Sequence, residues 1–461
     1  MIWLNSRHMI PLFFLIATGS LLFVFASPAA ATETREFILS NGLKVLLVEV
    51  PKAPVATVQV WYKVGSRNEV MGRAGLSHML EHMMFKGTVK YPQGTFSRLI
   101  RKNGGIDNAF TSQDFTAYFE NLAADRVALA LEMEADRMQR LVLNMKELTT
   151  EREVVKEERR LRTEDDPQGA LVEALFAQAY LSHPYHWPVI GWFNDLDAMT
   201  LNDLQQHYDT YYAPNNATLI VVGDIKADSL LSVIKQLFEP IPRGPDSNLL
   251  STAEPEQKGE RRFLLKREAQ VASIMMGYRV PNFTSEDSYA LDILDSILSH
   301  GKSSRLYQSL VYKEKSALAV GAEYSVLQSD PGLFYFYALV SPNQKPERVE
   351  AALNREIKRL QTHPPTELEL QRAKNQVEAS HVFEQDSNFR HAMLLGQAES
   401  VGAGWQKIDQ FVKRIRAVTA KDVQRIARQY LREDNRTVGT LIPVTPKQPD
   451  APSSAAQQRM P

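Results

Sequence analysis

Between residues 34 and 50, apolar and polar side chains alternate on either side of Asn41-Gly42, a pattern that predicts two short strands joined by a turn. A third strand is predicted over 56–64. Helical periodicity then runs through 125–143 and 151–162, the second opened by a capping box, Thr150-Glu151-Arg152-Glu153. Residues 217–222 form an unbroken apolar run, read as a buried strand entered through Pro214-Asn215-Asn216. The segment 241–260, rich in Pro, Gly, Ser and charge, reads as a linker. Beyond it the pattern predicts strands over 262–280 and helices over 286–298 and 346–360.

The two sides of that linker echo each other. From Thr200, and again from Thr419, a Thr N-cap with Asp three residues on opens a helix that ends at a tyrosine, Tyr211 or Tyr430. In both, a polar turn then enters a strand. This spacing is one whole domain, which predicts a duplicated unit rather than a solenoid. Strands and helices mix without strict alternation, so the expected class is α+β, with homologous domains over 35–240 and 261–445. The tail, 446–461, rich in Pro, Ala, Ser and Gln, is expected to be disordered.

At the other end, Arg7 and His8 precede an apolar run over 9–26 that leads into Ser27-Pro28-Ala29-Ala30-Ala31. That order predicts a secretory signal peptide, residues 1–31, removed after about Ala31. The alternative is a retained membrane anchor, because the run is nearly long enough to span. No later segment is apolar enough to do so, so the mature protein is expected to be exported and, in a bacterium, periplasmic. The 53 basic and 54 acidic residues leave a net charge of -1, which gives nucleic-acid binding no electrostatic footprint. There is no cysteine, which excludes disulfides, thiolate metal sites and a cysteine nucleophile. Any metal must sit on His, Asp or Glu.

One stretch offers such ligands: Gly75-Leu76-Ser77-His78-Met79-Leu80-Glu81-His82-Met83-Met84-Phe85. In a helix, four-residue spacing puts His78 and His82 on one face, one turn apart, able to reach a single ion. Glu81 projects beside that face, placed to take a proton from a water activated by the metal. The order is H-x-x-E-H, the inverse of the commoner H-E-x-x-H. A third ligand is not fixed by spacing. In the helix predicted from Glu151, both Glu157 and Glu158 remain open as candidates.

These residues resemble the signature of the pitrilysin-like M16 family of zinc metallopeptidases, to which insulin-degrading enzyme and the mitochondrial processing peptidase belong. The family has a glutamate seven residues before its ligand glutamate, and Glu151 and Glu158 match that pair. The resemblance therefore selects Glu158 as the third ligand and Glu151 as an auxiliary catalytic carboxylate. Asn108-Ala109-Phe110-Thr111 and the stretch from His183-Pro184-Tyr185 to Pro188-Val189-Ile190-Gly191 also look like the family. It implies one zinc ion per chain, two homologous α+β domains forming half of a clamshell chamber, and hydrolysis of short or unfolded peptides. It also implies that Asn108, Ala109 and Phe110 lie on a strand edge near the metal, where a substrate peptide could add as an extra strand.

The resemblance bears on partners as well. Residues 301–310 look like a second-domain segment that in active chambers continues with an Arg and, later, a Tyr, both reaching towards the reacting carbonyl. Here Val311 and Ala319 stand at those places, with Tyr312 the nearest alternative donor. The expectation is a heterodimer in which a homologous subunit supplies the Arg and Tyr; a homodimer is the alternative. Two other functions stay open: a non-catalytic assembly subunit, and a protease dedicated to one precursor.

Overall fold

The computed structural model describes residues 33–246 and 252–444. The expected signal peptide, the C-terminal tail and residues 247–251 of the linker lie outside the described residues. Six strands make the first sheet: β1 (Thr34–Ile38), β2 (Lys44–Glu49), β3 (Val55–Tyr62), β4 (Ile106–Thr111), β5 (Thr116–Ala123) and β6 (Ala217–Gly223). Five make the second: β7 (Arg261–Glu268), β8 (Ser273–Val280), β9 (Ala317–Tyr324), β10 (Gly332–Val340) and β11 (Arg436–Val444). The strand orders are β1-β2-β6-β3-β5-β4 and β7-β11-β8-β10-β9.

Set side by side, the sheets carry the same plan. A parallel pair, β2 with β6, is matched by β7 with β11. Each is followed by three antiparallel neighbours in the same relative order. The N-terminal strand β1, paired antiparallel to β2 with Thr34 opposite Val48, is an addition. The echo at Thr200 and Thr419 is real in three dimensions. Both threonines cap helices, Leu201–Tyr211 and Ala420–Tyr430, through complete capping boxes with Asp203 and Asp422. Each helix then leads through a 3₁₀ turn into β6 or β11.

Strands β7 and β8 both flank β11, the position the duplicated plan gives to the returning C-terminal strand. One correction concerns the helix expected from Thr150. It begins at Met145, because the Asn144 side chain accepts the Glu147 N–H at 3.0 Å and caps the helix earlier. Thr150 lies inside the helix and donates to the Lys146 carbonyl at 3.1 Å.

One face of each sheet packs on helices of its own half, including Leu76–Met83, Val127–Arg140 and Ala227–Phe238 in the first. The opposite faces are exchanged. Helix Asn388–Ser400, from the second half, seats Ala392, Leu395 and Ala398 on Leu46, Val48, Trp61, Ile220 and Val222 of the first sheet. Helix Pro167–Ala179, from the first half, seats Leu171 and Leu175 on Met275 and Leu441 of the second. A polar seam adds to this. The Tyr185 hydroxyl donates to Asp114 at 2.7 Å, and the backbone N–H groups of Ser329 and Asp330 donate to Asp114 and to the Tyr185 oxygen. No helix among the described residues is long and apolar enough to cross a membrane.

Candidate metal centre

The helix carrying the H-x-x-E-H residues is held at its first turn. Gly75, with φ 91°, enters it in the left-handed region that favours glycine, and a Cβ there would lie 2.7 Å from the Ile190 carbonyl oxygen. The first free N–H groups are met by a buried carboxylate: Glu69 accepts from Gly75 N and Ser77 N, each at 2.7 Å. On the next face, Ser77 Oγ is 3.1 Å from Nε2 of the buried His207. The helix therefore has little freedom to rotate, and His78, Glu81 and His82 inherit that rigidity.

His78 and His82 lie edge to face, with ring centroids 4.8 Å apart. Helix Met145–Arg159 crosses beside them and brings in Glu158, whose Oε2 is 3.4 Å from His82 Nε2 and 3.7 Å from His78 Nε2. One donor atom from each of the three lies within 4.8 Å of the others. Glu157, the other candidate, is on the exposed side of the helix and pairs with Arg160. Glu151, two turns earlier, accepts from His82 Nδ1 at 3.1 Å and from Lys86 Nζ. Glu81 lies alongside and accepts from the Thr111 hydroxyl on β4.

Burial, and then the neighbouring His82, push His78 down to about 4, so it presents a neutral imidazole. Burial works against a charge on His82 too, but hydrogen bonds to Glu151 and Glu158 raise it to about 9. Burial raises the Glu81 carboxyl, a shift the Thr111 hydrogen bond opposes. Hydrogen bonding to His82 lowers Glu158. Three carboxylates thus crowd one imidazole pair, with Lys86 against Glu151 and Arg162 against Glu158 as neighbouring cations. A divalent cation fits the same place: two imidazole nitrogens and a carboxylate oxygen are donors that zinc takes. His78 Nδ1 is buried without a hydrogen-bond partner, which leaves Nε2 as the nitrogen that faces Glu158.

The cluster opens into a cleft of about 710 Å³. One wall is β4, the edge strand of the first sheet, which carries Asn108, Ala109 and Phe110. Phe110 lines the cleft and packs edge-on against Trp61 at 5.4 Å, and the Ala109 N–H donates to Asn108 Oδ1 at 2.9 Å. Apolar lining also comes from Val172, Phe176, Trp187 and Ile190, beside the polar Gln113, Glu173 and His186. Lys86 and Arg162 escaped the sequence reading. Arg162 Nη2 is 2.8 Å from Glu158 Oε1. Each basic residue stands four positions after a candidate ligand, His82 or Glu158, and that spacing was the available signal. In the second half, Val311 lies on a π-helical turn, Tyr307–Lys313, and Ala319 on β9, while the Tyr312 side chain is exposed. Arg305 is held by Glu369 at 2.7 Å.

Residues 44–191 match the family described as Insulinase (Peptidase family M16), and residues 198–377 match the Peptidase M16 inactive domain. The zinc protease PqqE of Helicobacter pylori is 35% identical over 410 residues, covering 88% of this chain and 92% of that one. The uncharacterized zinc protease YmxG of Bacillus subtilis is 27% identical, covering 87% and 96%. The crystal structure of a protease from Helicobacter pylori superposes with a TM-score of 0.86 at 34% identity, covering 90% of this chain and all of that one. The periplasmic protease PqqL from Escherichia coli shares the fold at a TM-score of 0.73 and 20% identity, with 48% of its chain covered. With both halves matched in order and a relative this similar along nearly its whole length, the chain belongs to the M16 family of peptidases.

Proposed function

We propose that this chain is a zinc-dependent endopeptidase that hydrolyses short or unfolded peptides. The observation that carries the reading is the convergence of His78, His82 and Glu158 on one point, with Glu81 beside them at the mouth of a cleft. His78, His82 and Glu158 would hold the metal. Bound there, zinc would polarise the scissile carbonyl and make a water molecule more acidic. Glu81 takes the proton from the attacking water and passes it to the departing amine; its burial raises its affinity for that proton. Glu151 accepts from His82 Nδ1, which fixes the ring and leaves Nε2 for the metal. The open backbone of β4 adds the substrate as an extra strand, which binds many sequences.

The family domains are proposed to span 35–240 and 261–445, joined by 241–260. Export to the periplasm after removal of residues 1–31 is part of the same proposal. Val311 and Ala319 offer no side-chain donor, so a homologous partner subunit is proposed to supply an Arg and a Tyr to the reacting carbonyl. The test is hydrolysis of unfolded peptides by the mature chain. Glu81→Gln is expected to abolish it while the fold and melting temperature are retained. Full activity in Glu81→Gln would refute the role of Glu81.

A further inference from the structure

Glu158 is the candidate ligand with the most freedom, because it comes from the final turn of its helix and has two equivalent oxygens. The chain around it is unusual. After Arg159 the helix widens into a π turn, Arg160–Glu164, closed by Asp165 N on the Arg160 carbonyl at 2.8 Å. Such turns concentrate at functional sites. The backbone on either side of this one is fixed. Arg159 is buried and makes two parallel hydrogen bonds to Glu173, each 2.9 Å, and one to the Gly191 carbonyl at 2.8 Å. Gly169 lies against the Arg162 carbonyl so closely that a Cβ there would be 2.2 Å from the oxygen. The Arg162 backbone is thus clamped, while its side chain, 70% exposed, reaches back along the rim of the cleft to Glu158.

The two oxygens of Glu158 have different partners. Oε1 forms the ion pair with Arg162 Nη2 at 2.8 Å, and Oε2 faces both histidines. We propose that Arg162 is a positioning residue that occupies Oε1 and so presents Glu158 to the metal through Oε2 alone. The proposal rests on the reading that His78, His82 and Glu158 hold zinc. A guanidinium suits the task because it is always charged and meets Glu158 through Oε1, while Oε2 stays with the histidines. An exposed ion pair contributes little to folding. A residue that orients a ligand, in contrast, typically changes metal affinity by about 10- to 100-fold.

The experiment is zinc affinity of the full mature chain, measured by competition with a chromophoric chelator, together with the melting temperature of the metal-free protein. Arg162→Gln is expected to weaken zinc binding by about 10- to 100-fold with the metal-free melting temperature unchanged, and Arg162→Lys to recover part of the loss. Equal zinc affinity in wild type and Arg162→Gln would overturn the role of Arg162 and leave the site reading standing. A wild-type chain that takes up no zinc would overturn both.

Discussion

Gly396 sits in the middle of helix Asn388–Ser400, where alanine would ordinarily be preferred by about 0.5–1 kcal/mol. Here the helix lies on the first sheet, and a Cβ at Gly396 would meet Trp61 at 2.1 Å from Cε2 and 2.3 Å from Nε1. Trp61 has no room to yield. It is fully buried, donates from Nε1 to Gln59 at 2.9 Å, and packs against Phe110 and Phe115. Overpacking of a core typically costs about 1–3 kcal/mol, and a clash of this depth belongs near the top of that range. Net of helix propensity, Gly396→Ala should destabilise by about 2 kcal/mol, or about 4–8 °C in melting temperature for a unit of this size. Trp61→Leu removes the obstructing ring. Calorimetric melting of both single variants and the double variant should therefore show the double less destabilised than the sum by about 0.5–3 kcal/mol. A Gly396→Ala protein that melts at or above wild type would refute the seating of this helix on the other half's sheet.

Burial holds His207 down at about 3, whereas in the unfolded chain it takes up a proton near 6.5. The stability that follows from its being neutral is complete above about pH 6.5 and is lost as pH falls towards 3, so the unfolding free energy of His207→Phe, followed against pH, should fall less steeply across that window, by up to one proton. An unchanged slope would contradict the buried neutral imidazole. For the partner, the purified chain is expected to cleave peptides about 100- to 1000-fold more slowly than the same chain mixed with a homologue carrying the Arg and Tyr. Full activity alone, with no gain on mixing, would restore the homodimer.

The elements set by local pattern were legible in the sequence. The strands 34–38, 44–49, 55–62 and 217–223, the helix at 127–140 and both Thr-Asp capping boxes lie where the alternation and caps put them. The pairing of His78 with His82 follows from helical spacing alone. What was illegible is set by tertiary structure. Helices 167–179 and 388–400 are only weakly amphipathic, and nothing in their pattern shows that each covers the other half's sheet. Asn144 and Thr150 are both competent caps, and the choice of Asn144 depends on where the chain turns after β5 and its following helix. Glu157 and Glu158 are adjacent and chemically identical; only the crossing of two helices turns one to the histidines and the other to solvent.

The central claim is that His78, His82 and Glu158 together hold one catalytic metal ion. Elemental analysis of the purified mature chain, alongside Glu81→Gln and His82→Ala, tests it most directly. The expected result is about one zinc per chain in wild type and in Glu81→Gln, with little or none in His82→Ala. A full complement of zinc in His82→Ala would contradict the account, because the metal would then be held somewhere else.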